Sequence, residues 1–214
     1  MRCVVTAGPT YEPLDNVRRL TNFSTGELGT ELARFLIERG HEVKLLLGEL
    51  ASYREATNAE IFTTTRDLRE RLQGLTSRPP DAVFHAAAVN DFEFGRVWAR
   101  SEHGESKELK AGKFSTREGT LLAELVPTPK VIAELRQWFP VARLVGWKYE
   151  VDGTREDVIR EAEKQRAVCL TDACVANGPA YGDGFGLVEG VGEFEHFGDR
   201  AALFGALEKF ARRV

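Results

Sequence analysis

The chain has 214 residues, 43% of them hydrophobic, enough to bury one substantial core but short for two, so a single domain spanning 1–214 is expected. Its 29 Lys and Arg against 33 Asp and Glu leave a net charge of −4, which excludes a general field for nucleic acid or an acidic membrane; any anionic ligand must be held by local groups. Cys3, Cys169 and Cys174 sit in apolar runs without metal or CxxC spacing, and no stretch has the apolar length of a membrane span, so reduced thiols and a cytoplasmic location are expected.

Along the chain, short β-branched runs alternate with helical periods. A strand at 3–6 leads into a long polar loop, 8–23, and then a helix whose face carries Leu28, Leu32, Phe35 and Leu36. Ser24 and Glu27 have the spacing of a capping box, and Gly40 suits the helix stop. A second strand is expected at 43–47, a helix through Leu68, Leu72 and Leu75, and a third strand at 82–86. Residues 92–119 are polar and weakly periodic, and predict a mobile flap or arm. Thr128 and Pro129 read as the N-cap and first turn of a helix bearing Val131, Ile132, Leu135 and Trp138. Strands at 144–147 and 168–170 follow, then a glycine-rich antiparallel hairpin over 178–198, and a last helix opened by Asp199. Such βαβ alternation predicts an α/β fold, a doubly wound and mostly parallel sheet with helices on both faces.

In that architecture ligands sit beyond the carboxyl ends of the strands, near the switch in strand order. In the first loop, Ser24, Thr25 and Gly26 precede a helix whose open N–H groups form an anion site. Equally, Ser24 is a plain N-cap and Gly29 a packing glycine. Neither GxGxxG nor GxxxxGK[ST] occurs. After the third strand, His85-Ala86-Ala87-Ala88-Val89-Asn90-Asp91 offers small residues with a carboxylate beside them. Asp91 either caps a turn or holds a divalent cation that bridges phosphates. Lys110 and Lys113, ahead of Phe114-Ser115-Thr116, put cations on the flap.

Several ordered segments carry a resemblance. Val5 to Thr10, Asp15-Asn16-Val17-Arg18, Thr21 to Gly29, Ala86 to Phe92, Lys113 to Thr116, Pro127 to Ile132, Val145 to Lys148 and Val175-Ala176-Asn177 together are similar to the phosphopantothenoylcysteine synthetase family. The resemblance implies a modified Rossmann-like fold, a homodimer, and use of CTP or ATP with Mg2+ or Mn2+. It also implies two steps: phosphopantothenate attacks the α-phosphorus to give an acyl-nucleotide and pyrophosphate, and the amine of cysteine then displaces the nucleotide. By the same resemblance Asn22 holds the acyl-nucleotide, Lys113 (or Lys110, in another register) is the flap lysine, and Asp91 serves catalysis and the cation. Gly8, Ser24, Thr25, Gly26, Gly29, His85, Ala86, Ala87, Pro129, Lys130, Val131, Ile132, Trp147 and Lys164 fall at nucleotide or phosphate positions. Arg18, Ala88 and Asn90 join Asn22 at the substrate.

Departures from the family pattern fall at Asn90, Val168 and Gly178. The Gly146-Trp147-Lys148 segment looks like the free-standing members, which implies that a separate decarboxylase acts next. Two rival functions stand beside this one. A Rossmann oxidoreductase would need an acid ending the second strand, where Glu49 lies, and a non-catalytic nucleotide-sensing module would keep the glycines and Asp91 without a moving lysine.

Overall fold

The computed structural model describes residues 1–53, 58–101, 103–110, 112–115, 117 and 119–213; Glu102 and Thr116 of the flap segment lie outside them. The central sheet has eight strands. In spatial order they are β13 (Glu193–Phe197), β12 (Phe185–Gly190), β11 (Ala173–Asn177), β10 (Arg143–Tyr149), β6 (Ala82–His85), β1 (Arg2–Ala7), β4 (Glu42–Gly48) and β5 (Glu60–Phe62). The six from β11 to β5 are parallel, and the hairpin β12–β13 is added antiparallel at one edge. The expected hairpin is therefore an extension of the sheet rather than a separate feature.

Alternation along the strands sorts side chains to two faces. Cys3, Val5, Leu45, Leu47, Phe84, Val145 and Val175 pack with α1 (Glu27–Glu38) and α5 (Arg200–Ala211). Val4, Leu46, Val83 and Leu144 face α2 (Thr65–Gln73) and α3 (Val131–Trp138), with Cys169 from the end of α4 (Arg155–Cys169). Both faces are dry, which is why β1 and β6 read as continuous apolar runs. No helix among the described residues is long and apolar enough to cross a membrane.

Three expectations about helix ends are corrected. α1 is capped by Gly26 at φ 79° with no side-chain cap, so Ser24 and Glu27 do not form a capping box. A Cβ at Gly26 would lie 3.0 Å from Ala51 Cβ and 3.1 Å from Leu47 Cδ1, so the turn needs glycine both for its φ and for its space. α3 starts after Lys130, because Thr128 is still bonded to the preceding loop: its Oγ1 donates to Asn90 O at 2.5 Å and its N–H to Asp91 O. Val168-Cys169 belong to the last turn of α4 with Leu170 its left-handed cap at φ 54°, and the last parallel strand in the chain is Ala173–Asn177 instead. Val168 and Leu170 are exposed, so the short apolar run was not a buried strand. At Gly40 and Asp199 the helix signals operate as read: Gly40 and His41 N–H close on Ile37 O and Leu36 O, and Asp199 accepts from Ala202 N–H.

Two insertions decorate the sheet. The loop after β1 contains a small hairpin, β2 (Tyr11–Pro13) with β3 (Arg19–Thr21). The 92–119 segment opens an antiparallel arm that continues to residue 127, with β7 (Phe92–Arg100) between β8 (Ser106–Leu109) and β9 (Thr120–Pro127).

Candidate active site

β1 leads through α1 to β4 on one side, while β6 lies on its other side. The strand order switches between β1 and β6, and the crevice lies beyond their carboxyl ends. Backbone bonding carries the β1–β6 pair past the strands: Ala88 N–H donates to Gly8 O and Thr10 N–H to Ala88 O. Above these ends is a cleft of about 720 Å³, lined by residues 22–29, 85–91, 128–132 and 147–149 with Gln165, Asn177, Phe185 and Arg200.

The structure brings most of the expected residues together there. Asn22, Ser24, Thr25, Gly26 and Gly29 form one wall, His85 to Asp91 the floor, and Pro129, Lys130, Val131, Ile132 and Trp147 the opposite side. Asn22 is held by its Nδ2, which donates to Ala88 O at 3.2 Å. Gly26, the N-cap of α1, offers no side-chain cap, and Glu27 N–H donates to Thr25 Oγ1 at 3.2 Å, which leaves the N–H groups of Leu28 and Gly29 for an anion. Gly29 answers to packing as well, since a Cβ there would come within 2.6 Å of Ala7 Cβ.

Charges in the wall are already matched. Lys130 Nζ lies 3.3 Å from Asp91, Lys148 2.8 Å from Glu150, and Arg200 forks to Glu27 at 3.0 Å and Glu31 at 2.7 Å. The Arg200 guanidinium holds the Glu27 carboxyl below the usual carboxylate range. His85 is buried, with Nδ1 2.9 Å from Thr6 Oγ1; burial, and then the nearby Lys130 charge, push its pKa down to about 4, so the imidazole is neutral. Trp147 Nε1 and Asn177 Oδ1 are buried without a hydrogen-bond partner. Cys174, under the same strand end, is an inert thiol, pushed up to about 12 by burial.

Other expected residues lie elsewhere. Gly8 is behind the wall, where a Cβ would sit 2.9 Å from Ala51 Cβ. Lys164 is on the exposed face of α4 beside Glu161, and Lys110 and Lys113 are outside the cleft lining. Arg18 is bound to Asp15 and Phe114, away from the lining. Asn90 borders the cleft but is buried, its amide N–H groups donating to Thr10 O and Leu20 O, so it braces two loops. Gln165, Asn177, Phe185 and Arg200 were not foreseen as site residues. Arg200 directly follows the recognised cap Asp199, and Asn177 ends a quoted segment, but neither carries a local signal that it reaches the cleft.

For a divalent cation, Asp91 is the one carboxylate of the expected set, and no group of three or more His, Cys, Asp or Glu converges among the described residues. A single carboxylate fits Mg2+, which draws its remaining ligands from phosphate oxygens and water.

An open, doubly wound sheet with its cleft at the strand-order switch, and an antiparallel arm inserted between Asp91 and Thr128 of the cleft lining, defines a Rossmann-like α/β protein of modified topology. The family model for the DNA/pantothenate metabolism flavoprotein C-terminal domain matches residues 1–191, and the chain belongs to that family. It is 33% identical over 177 residues to the coenzyme A biosynthesis bifunctional protein CoaBC of Thermococcus kodakarensis, covering 82% of this chain and 41% of that protein. With the Bacillus subtilis protein of the same name it is 32% identical over 186 residues, 86% of this chain and 42% of that one. The chain thus spans about two-fifths of the length of these relatives. The crystal structure of the DNA/pantothenate metabolism flavoprotein from Streptococcus pneumoniae superposes with a TM-score of 0.83 at 25% identity, covering 98% of this chain and 97% of that one. A Cab2 mutant in complex with phosphopantothenate-cysteine shares the fold, with a TM-score of 0.68 at 15% identity, covering 99% and 89%.

Proposed function

We propose that the chain is a phosphopantothenate–cysteine ligase that uses CTP or ATP. One observation carries this: Asn22, the uncapped N-terminus of α1 and the small-residue floor 85–88 converge on one cleft, in a chain of this family. The N–H groups of Leu28 and Gly29 and the wall lysines hold the triphosphate against the repulsion of an incoming carboxylate. That carboxylate attacks the α-phosphorus, and pyrophosphate leaves. Asn22 then steadies the acyl-nucleotide while the amine of cysteine attacks the acyl carbon, loses its proton and expels the nucleotide monophosphate. Mg2+ or Mn2+, held by Asp91, would supply charge neutralisation at the phosphates. Lys113, outside the cleft lining in this structure, would reach over from the arm as a further phosphate contact.

A homodimer is part of the same proposal. β7 and β9 expose Phe92 and Leu125 on one face of the arm and Leu122 and Val126 on the other, apolar positions that a second copy of the chain would cover. Against a dinucleotide oxidoreductase, Glu49 is 3.3 Å from Arg19 and does not line the cleft.

The test is pyrophosphate release by the purified protein with phosphopantothenate and cysteine, comparing CTP with ATP. Release dependent on phosphopantothenate, with amide product formed in equal amount, is expected; no release with either nucleotide refutes the proposal.

A further inference from the structure

Phe114 is the one buried residue among the described positions between 103 and 120, and it is docked on the loop that joins β2 to β3. Five contacts make the dock. Phe114 N–H donates to Asp15 Oδ2 at 3.2 Å, Arg18 Nη2 donates to Phe114 O at 2.9 Å, and Asn16 N–H donates to Gly112 O at 2.9 Å. The Arg18 guanidinium lies 5.9 Å from the Phe114 ring centroid. Gly112 comes so close to the loop that a Cβ would lie 2.7 Å from Asn16 Nδ2. Asp15 is the hub, for its carboxylate also accepts from Val17 and Arg18 N–H and pairs with Arg18 Nε and Nη2 at 3.0 and 2.5 Å. The Arg18 guanidinium and these amides hold the carboxyl well below the usual carboxylate range, so it stays charged at any working pH.

The same loop runs directly into the cleft. Through β3 it reaches Thr21, whose hydroxyl donates to Thr10 O, and Asn22, whose amide donates to Ala88 O, while Asn90 ties Leu20 O to the floor. Lys113, between docked Gly112 and docked Phe114, is thereby connected to Asn22 through short hydrogen-bonded links on both sides.

We propose that Asp15 is a positioning residue: with Arg18 it clasps the Lys113 segment to the loop that carries Asn22, which fixes the anchor from which the lysine, outside the cleft lining here, reaches for a bound nucleotide. This rests on the ligase function proposed above, and specifically on Lys113 contacting phosphate. Asp15 touches no reacting group itself.

Hydrogen–deuterium exchange on the 214-residue chain tests the clasp without reference to activity. Asp15→Ala should raise exchange across 112–115 about tenfold or more, with the amides of β1 and β6 unchanged as evidence of intact folding. Asp15→Asn, which keeps an acceptor but not the charge, should fall between. Pyrophosphate release should drop about 10- to 100-fold in Asp15→Ala, the scale expected when a catalytic group is misplaced by an ångström. Adding Asp15→Ala to Lys113→Gln should cause little further loss, because the segment then carries nothing to position. Unchanged exchange at 112–115 overturns the clasp, and losses that multiply in the double variant overturn its link to Lys113. Raised exchange together with a wild-type rate in Lys113→Gln would uphold the clasp and refute the role of the lysine.

Discussion

Asn22 and Lys113 divide the proposed chemistry between two steps, so substitutions should separate them. Asn22→Asp places a negative charge beside an anionic intermediate. Pyrophosphate release should continue slowly while amide formation falls by roughly 100-fold, measurable as a mismatch between pyrophosphate and amide product. Lys113→Gln should lower both, by about 10- to 100-fold. His85 makes a different kind of prediction. Its folded pKa is depressed to about 4 from an ordinary 6.5, so between those values the unfolded chain binds the extra proton and stability rises with pH. Acidifying from pH 6.5 to 4.5 should therefore cost about 2–3 kcal/mol, followed by denaturant midpoints, and His85→Gln should remove most of that slope. The residues carrying these effects were visible as types in sequence. What was not visible was neighbourhood: that Lys130 comes to lie near His85, or that Asn90 turns inward to brace loops, depends on contacts made by residues far apart in the chain.

At the level of elements, Gly26 combines a left-handed cap with close contact to Ala51 and Leu47. Gly26→Ala should destabilise by about 1–3 kcal/mol and weaken triphosphate binding more than cysteine binding, because it displaces the first-turn N–H groups. A thermal midpoint and separate KM values check both. Strands β1, β4, β6 and β10 were legible because each is a dense apolar run bounded by polar turns. The run at 168–170 misled because three apolar residues fit a helix end as well as a strand; the capping box of Thr154 with Asp157 was the stronger signal, and it starts a fifteen-residue helix. The arm hid its strands because much of both faces is wet, which removes the alternation on which strand recognition depends.

Across the whole molecule, the end of the sheet opposite the cleft is fastened by Glu208 of α5, whose carboxylate meets His41 Nε2 at 3.0 Å, Arg212 at 2.9 Å and Arg39 at 3.4 Å. The bond to His41, with the two arginines, lowers its pKa below the ordinary 4.5; this stabilisation is full above pH 4.5 and fades as pH falls through the lower folded value. Glu208→Gln should cost about 1–3 kcal/mol at pH 7 and progressively less in acid, with turnover of the surviving folded protein unchanged. Strand order could not be read from local patterns, since placing β6 beside β1 rather than beyond β5 is decided by which surfaces bury best. The loops that build the cleft are thus contiguous only in space.

The pre-paired cations of the cleft have a bearing on selectivity. A small dianion such as sulfate would have to win Lys130, Lys148 or Arg200 away from a resident carboxylate one at a time, with no chelate gain. A triphosphate brings several oxygens on one scaffold and can exchange those partners together, leaving Asp91 open as Lys130 turns away. Sulfate at physiological ionic strength should hence inhibit poorly, and pyrophosphate, which spans more of these exchanges, should inhibit far better; equal inhibition by the two would show that the wall does not discriminate by length.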